Sequence, residues 1–370
     1  MQQSIMCGID MHDNSLVCRI AVNNEEPWTK RYGNTRRGRQ QLFRELRTAS
    51  RRRAGGRIVV AHEASTHGFC FYDDCRDTGI ECFILAPTKM RKSKKDRKKK
   101  TDERDAQLIL ETLRGHVLAG NELPSIWIPD DETREDREVV RARLDVGQKL
   151  TGVKTQVQTL LKGRRVSKPK GVGGSWTRGH RRWLASLCVG EPGWPALETL
   201  LRQIEALEGE IAILDKEIAA LSRRARYAEA CGALVEEIVG VGLLTAMVFL
   251  TEMGDLSRFG NRRKVGAYMG LVPSSHDSGE TERKGHITRE GSWRTRRVLC
   301  QGSWVRVVHD PVESRIYKGI VERNPKRKKI AVVAAMRRLG VRMWHVGLAA
   351  QQRAGVFPRL ETNSTCASVV

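Results

Sequence analysis

Four acidic residues in the first third of the chain have types and spacings suited to one site. Asp10 closes the apolar run Ser4–Ile9, Glu63 closes a second run containing Ile58-Val59-Val60-Ala61, and Asp102 and Asp105 open a predicted helix. Residues at i and i+3 share a helix face, so both aspartates can point at one place. Carboxylates gathered at neighbouring strand ends and faced by a helix repel one another unless a divalent cation lies between them. Four of them can hold a pair of Mg²⁺ ions, which activate an attacking oxygen and steady a leaving one in phosphoryl transfer. Asp10, Glu63, Asp102 and Asp105 are therefore the expected metal ligands and catalytic acids. Taken singly each is an ordinary surface charge or helix start, and only the joint placement carries weight.

The elements that must position them can be read from periodicity. Ile5 to Asp10, Leu16 to Val22 and Pro27 to Tyr32 read as three antiparallel strands, followed by a basic helix over Arg36 to Arg53. Arg57 to Glu63 reads as a fourth strand, Ser65 to Asp77 as a helix and Ile80 to Leu85 as a fifth strand closed by Pro87. This order predicts an α/β domain around a mixed sheet. Thr101 stands where it can cap the next helix, whose stripe is Ala106, Ile109, Leu110 and Leu113.

The charge balance selects the partner. Lys and Arg number 66 against 43 acids, a formal charge of +23. Nucleic acid is the natural polyanion for such a field. No run of about 18 apolar residues is present, so a membrane is not the expected partner, and the expected location is the cytoplasm. Nine of the twelve residues Lys89 to Lys100 are basic. Lys94, Lys95, Arg97, Lys98 and Lys99 are the expected nucleic-acid contacts within that run, which repels itself unless a phosphate backbone neutralises it. The nine cysteines contain no Cys-x-x-Cys pair and read as a reduced set; His67, Cys70 and Cys75 lack a fourth zinc ligand at a recognised spacing.

Further along, 161–195 is rich in Gly, Arg, Lys and Trp and reads as a basic linker. Leu197, Ile204, Ile211 and Ile218 recur at one heptad position, with Leu200, Leu207, Leu214 and Leu221 three residues after each. Four unbroken heptads predict a coiled coil and, through it, a homo-oligomer, a dimer or a tetramer. Ile238 to Gly242, ahead of an apolar helix over Leu243 to Glu252, is similar to the turn of helix-hairpin-helix modules, and a last helix is expected over Lys326 to Ala350.

Gly8-Ile9-Asp10-Met11-His12, the strand ending His62-Glu63-Ala64, and Lys100-Thr101-Asp102-Glu103-Arg104-Asp105-Ala106 resemble the three N-terminal motifs of the DEDD transposases of bacterial insertion sequences, also described as bridge-RNA-guided recombinases. The resemblance covers nearly the whole chain. It implies an RNase H-like (RuvC-like) N-terminal domain whose acids coordinate Mg²⁺, a mostly α-helical C-terminal transposase domain, donor and target DNA, and a noncoding guide RNA as partners in the bacterial nucleoid.

A second match lies in Ala267 to Pro273, Asp277-Ser278-Gly279, Lys284 to Thr288, and Gly291 with Arg294, Arg296 and Arg297. In the family a serine here attacks a DNA phosphate. Of Ser274, Ser275 and Ser278, only Ser278 has the family's Ser-Gly step. Arg294, Arg296 and Arg297 are the expected contacts to the transferring phosphate, Arg296 being the family match. Ser292 departs from the pattern, which has asparagine after the glycine.

The expected layout is a RuvC-like catalytic domain over 1–160, a linker over 161–195, a coiled coil over 196–232, a C-terminal transposase domain over 233–355 and a tail over 356–370. Two other functions use parts of the same pattern: a junction-resolving endonuclease, which would hydrolyse with the same acids and needs no serine, and a non-catalytic nucleic-acid-binding protein.

Overall fold

The computed structural model describes residues 3–67, 69–90, 101–189, 193–275 and 284–357, and the chain divides into two compact units, parted in sequence between Ile128 and Pro129.

The first unit is built on a five-stranded sheet in the order β3-β2-β1-β4-β5. β1 (Ser4–Met11), β2 (Ser15–Val22) and β3 (Trp28–Gly33) are antiparallel. Polar turns join them; Asn23, in the left-handed region that Asn tolerates, accepts the Ser4 amide on its side chain at 2.9 Å. β4 (Arg57–Glu63) and β5 (Glu81–Leu85) run parallel to β1, because α1 (Arg36–Arg52) and α2 (Cys70–Asp77) carry the chain back between them. α2 begins at Cys70 rather than at Ser65, since the intervening segment turns and the His67 imidazole pairs there with Asp13 at 3.1 Å.

Strand alternation sorts the core into two layers. Ile5, Cys7, Ile9, Leu16, Cys18 and Ile20 pack with Leu42, Phe43 and Leu46 of α1 and with Phe71 and Cys75 of α2. Met6, Ala21, Val59 and Ala61 face the other way, onto Ile109, Leu110 and Leu113 of α3 (Asp102–Ala119). Thr101 holds the N-cap position of α3 with its carbonyl, which accepts from Arg104 and Asp105; its hydroxyl makes no cap bond.

The second unit is helical apart from one short hairpin. α4 (Asp131–Gly163) and α6 (Pro195–Leu221) lie antiparallel: Arg143 pairs with Asp215 at 2.6 Å near one end and Lys154 with Glu208 at 3.1 Å further along. The two ends of the heptad stripe of α6 thus pack within the chain, Leu197 and Ile204 with Val157 and Leu161, and Ile218 and Leu221 with Val140 and Leu144. The segment read as a linker contains α5 (Arg178–Ser186), which packs into the same layer. Its tryptophans and Leu184 are apolar enough to fold onto the helix pair, which the basic composition around them concealed.

α7 (Ala228–Glu237), α8 (Leu243–Met253), α9 (Arg262–Tyr268), α10 (Trp293–His309), α11 (Pro311–Arg323) and α12 (Lys328–Arg353) complete the unit around one large core. Gly240, in the turn between α7 and α8, has a φ of 84° and lies against the backbone of Gly302 on α10, where a Cβ would collide. No described helix is long and apolar enough to cross a membrane.

Candidate metal centre

The register of the sheet places two of the four acids. Ile9 pairs with His62 across the parallel β1 and β4, so Asp10 and Glu63 stand one residue further on, side by side at the carboxyl ends of the strands. Alternation turns both toward α3, because each is two residues beyond a residue of that layer, Gly8 and Ala61. Gly8 lets the helix come down on the strand: a Cβ there would meet the carbonyl of Ala106 and the amide of Leu110. The first turn of α3 is thereby held over the end of β1, with Asp102 and Asp105 in it.

Among the described residues, the donor atoms of Asp10, Asp102 and His12 all lie within 4.8 Å of one another. His12 Nε2 is 3.2 Å from Asp10 Oδ2 and 3.5 Å from Asp102 Oδ1. Glu63 and Asp105 flank this group without joining it. His12 is not among the ligands expected from the sequence; it stands two residues beyond Asp10, just past the end of β1 at Met11. Its backbone is pinned by Asn34, whose side chain donates to the His12 carbonyl at 2.8 Å.

The electrostatics fit a cation. Burial pushes the Asp10 carboxyl above the usual aspartate range, His12 opposes that shift, and the charges of Asp105 and Asp102 add to it. Asp10 is 15% exposed while Asp102 and His12 are 44% and 47% exposed, so the cluster has one buried anchor and an open side. Crowded anions of this kind are relieved by a divalent ion with oxygen-rich ligands.

The other expected contacts divide. Lys94, Lys95, Arg97, Lys98 and Lys99 lie outside the described residues, as does Ser278. The hairpin that flanks Ser278 is described: β6 (Pro273–Ser275) pairs with β7 (Lys284–Ile287), and the Ser274 hydroxyl donates to the His286 carbonyl at 3.1 Å.

Arg296 donates to the carbonyls of Gly291 at 2.7 Å and Met269 at 3.2 Å, which ties the start of α10 to the end of α9. Burial, then the charge of Arg289, lowers its pKa. Arg294 forms two contacts with Asp145, at 2.8 and 2.9 Å, and stacks on Trp293; Arg297 is half-buried on the same helix. Gly291 is required where it stands, since a Cβ would collide with the Tyr268 carbonyl. Ser292 caps α10 by accepting from the Thr295 amide, a task for which serine and asparagine are about equally suited, so the departure from the family pattern preserves the local geometry.

A mixed sheet in this order, with acids at the ends of its first and fourth strands and on the helix after the fifth, is the plan of RNase H-like nucleic-acid enzymes. Residues 7–164 match the DEDD transposase family of the IS110 type, described as "Transposase", and residues 232–318 match the "Transposase IS116/IS110/IS902 family". The chain belongs to the DEDD transposase family of insertion sequences. It is 30% identical over 248 residues to "Putative transposase y4qE" of Sinorhizobium fredii, a match covering 67% of this chain and 58% of that protein. It is 29% identical to "Putative transposase y4rJ" of the same organism, over 82% of this chain and 80% of that one. It is 23% identical to "Transposase for insertion sequence element IS1533" of Leptospira borgpetersenii, over 89% and 99% of the two chains.

Proposed function

We propose that this chain cuts and rejoins DNA to move an insertion sequence, with Asp10, Glu63, Asp102 and Asp105 holding Mg²⁺ and Ser278 as the nucleophile. The observation that carries the reading is the convergence of Asp10 and Asp102, from a strand end and a helix start, on one small volume. Mg²⁺ supplies positive charge to the transferring phosphate when bound. Asp10, as the buried member, fixes the position of the cluster, and the exposed edge at Asp102 leaves room for a phosphate. In this reading 1–160 forms the RuvC-like domain, and 233–355 presents the serine.

The Ser278 oxygen forms a bond to phosphorus and loses its proton, while the bond from phosphorus to one sugar oxygen breaks and that oxygen is protonated. Attack by a different sugar hydroxyl reverses the exchange, so the phosphodiester energy is conserved and no nucleotide cofactor is required. The Arg296 guanidinium, partly desolvated and donating to two carbonyls, supports a role beside an anion. Arg294 and Arg297, with the basic segment containing Lys94, Lys95, Arg97, Lys98 and Lys99, hold donor and target DNA. A noncoding RNA acts as guide, and copies assemble as a dimer or tetramer through the α4–α6 helix pair, whose Ile213 is 55% exposed. The chain acts in the bacterial cytoplasm, at the nucleoid.

The test is a nicked suicide substrate carrying labelled DNA. A denaturation-resistant protein–DNA adduct is expected, lost in Ser278→Ala together with strand exchange, and retained in Ser274→Ala, whose hydroxyl is engaged within the hairpin. An adduct mapping to another residue would reassign the nucleophile. Cleavage with no adduct would point to hydrolysis instead.

A further inference from the structure

We infer that His12 is a metal ligand, so that the centre has a mixed oxygen and nitrogen donor set and favours Mn²⁺ over Mg²⁺. The inference rests on the reading of the acidic cluster as a metal site and deepens it. Three observations carry it. His12 Nε2 faces carboxylates from two separate elements at once, Asp10 on β1 at 3.2 Å and Asp102 on α3 at 3.5 Å. In a six-coordinate ion with bonds of about 2.1 Å, adjacent ligand atoms stand about 3 Å apart, so these separations are close to those of neighbouring corners of one coordination shell. The backbone is also held there: Asn34 donates to the His12 carbonyl at 2.8 Å, and the His12 amide donates to the Ser15 carbonyl at 2.9 Å.

The chemical consequence follows from ligand preference. Carboxylate and water oxygens suit Mg²⁺ and Mn²⁺ alike, whereas imidazole nitrogen suits transition metals, and Mg²⁺ keeps its waters rather than accept it. A site made only of Asp10, Glu63, Asp102 and Asp105 would discriminate little between the two ions. With His12 in the shell, the nitrogen favours Mn²⁺. The competing account makes His12 a counter-charge, bridging the two aspartates and displaced when an ion enters.

The two accounts differ in whether the ring nitrogen touches the metal, which pulsed electron paramagnetic resonance reads directly from nitrogen coupling to bound Mn²⁺. The full chain is loaded with one equivalent of Mn²⁺, and binding of Mn²⁺ and Mg²⁺ is measured by calorimetry on the same protein, on His12→Ala and on Asp10→Ala. The expected result is a nitrogen coupling in the parent that disappears in His12→Ala, with Mn²⁺ affinity lowered about tenfold or more, the scale on which lost supporting groups weaken metal sites, and Mg²⁺ affinity little changed. Asp10→Ala should lose both ions.

Mn²⁺ bound in an Asp10-dependent way without nitrogen coupling, or with a coupling that survives in His12→Ala, would overturn the His12 assignment and leave the carboxylate site standing. Binding indifferent to Asp10→Ala would overturn the carboxylate site itself, and the His12 assignment with it.

Discussion

Glu252 in the helical unit and Asp10 in the sheet unit are both largely buried carboxylates, 5% and 15% exposed, and their surroundings have opposite sign. Glu252 receives both nitrogens of the Arg141 fork at 2.7 and 2.9 Å, and its backbone carbonyl accepts from Arg137 at 2.9 Å. Asp10 has His12, Asp102 and Asp105 as its electrostatic neighbours, and burial with the two aspartates raises its pKa. Glu252 is not alone in its unit: Glu313 is bound by Arg338, and Asp136 takes bonds from Tyr227 at 2.8 Å and Arg224 at 3.0 Å. In a chain with 66 basic residues, an arginine is easily placed beside an acid. A buried acid set among other acids, with a raised pKa, is instead a functional-site candidate.

The strongest way to break that comparison is to neutralise the crowded acids and find that nothing is lost. Asp102→Ala and Asp10→Ala should each lower strand exchange by about 100-fold or more, since charge stabilisation by a metal is worth several kcal/mol. DNA affinity, measured by gel shift, should stay within about twofold, because affinity for a phosphate backbone rests on cationic side chains, which these substitutions leave in place. Wild-type exchange rates in Asp102→Ala, or undiminished exchange in chelator, would remove the acids from the chemistry.

Stability should respond with opposite sign in the two regions. Glu252→Ala leaves Arg141 without its carboxylate and should destabilise the protein by about 2 kcal/mol, toward the middle of the range for an orphaned charged partner because Arg141 can still reach water. Asp10→Asn removes a buried charge from among like charges, and in chelator it should raise the melting temperature. Mg²⁺ should stabilise the parent and not Asp10→Asn, since only a folded site that binds the ion gains from it. A fall in melting temperature in Asp10→Asn without metal would mean that the Asp10 charge is already satisfied within the chain.

The same two regions differ in how far the sequence disclosed them. Asp10, Glu63, Asp102 and Asp105 sit on regular elements, so strand ends and the i, i+3 rule made them one expected site and the strand and helix order predicted a mixed sheet; of the four, Asp10 and Asp102 have donor atoms within 4.8 Å of each other. His12 follows the end of β1, where no local periodicity fixes the direction of a side chain, so its place beside Asp10 and Asp102 is a product of the tertiary fold. In the helical unit the informative contacts are long-range. Nothing local to Arg294 points to Asp145, 149 residues away, and nothing around Gly240 announces the backbone of Gly302. The heptads of α6 could not tell that the helix packed on the two ends of the stripe is α4 of the same chain, because a period specifies a partner's shape and not its origin.

The smallest expected effect concerns an acid that is satisfied and partly exposed, Glu208 on α6. Arg181 of α5 binds both of its oxygens at 2.7 Å and Lys154 of α4 approaches at 3.1 Å, so one carboxylate joins three helices. Its pKa is lowered to about 2, first by the Arg181 hydrogen bonds and then, against a smaller cost of burial, by Lys154. A carboxyl whose folded pKa is depressed adds stability above its unfolded pKa of about 4.3, and loses that contribution as pH falls toward the folded value. Because Glu208 is 32% exposed, solvent screening limits the contribution to roughly 0.5–1 kcal/mol. Glu208→Gln should therefore lower the melting temperature at pH 7 by about 1–4 °C, the shift such an energy makes in a unit of this size. The gap between parent and variant should hold from pH 7 to pH 5 and close progressively between about pH 4 and pH 2. A gap that stays constant over that acid range would assign the effect to lost packing around α5, where the ring of the preceding Trp176 lies 5.2 Å from Lys154 Nζ, and would remove Glu208 from the set of charge-satisfied acids against which Asp10 is contrasted.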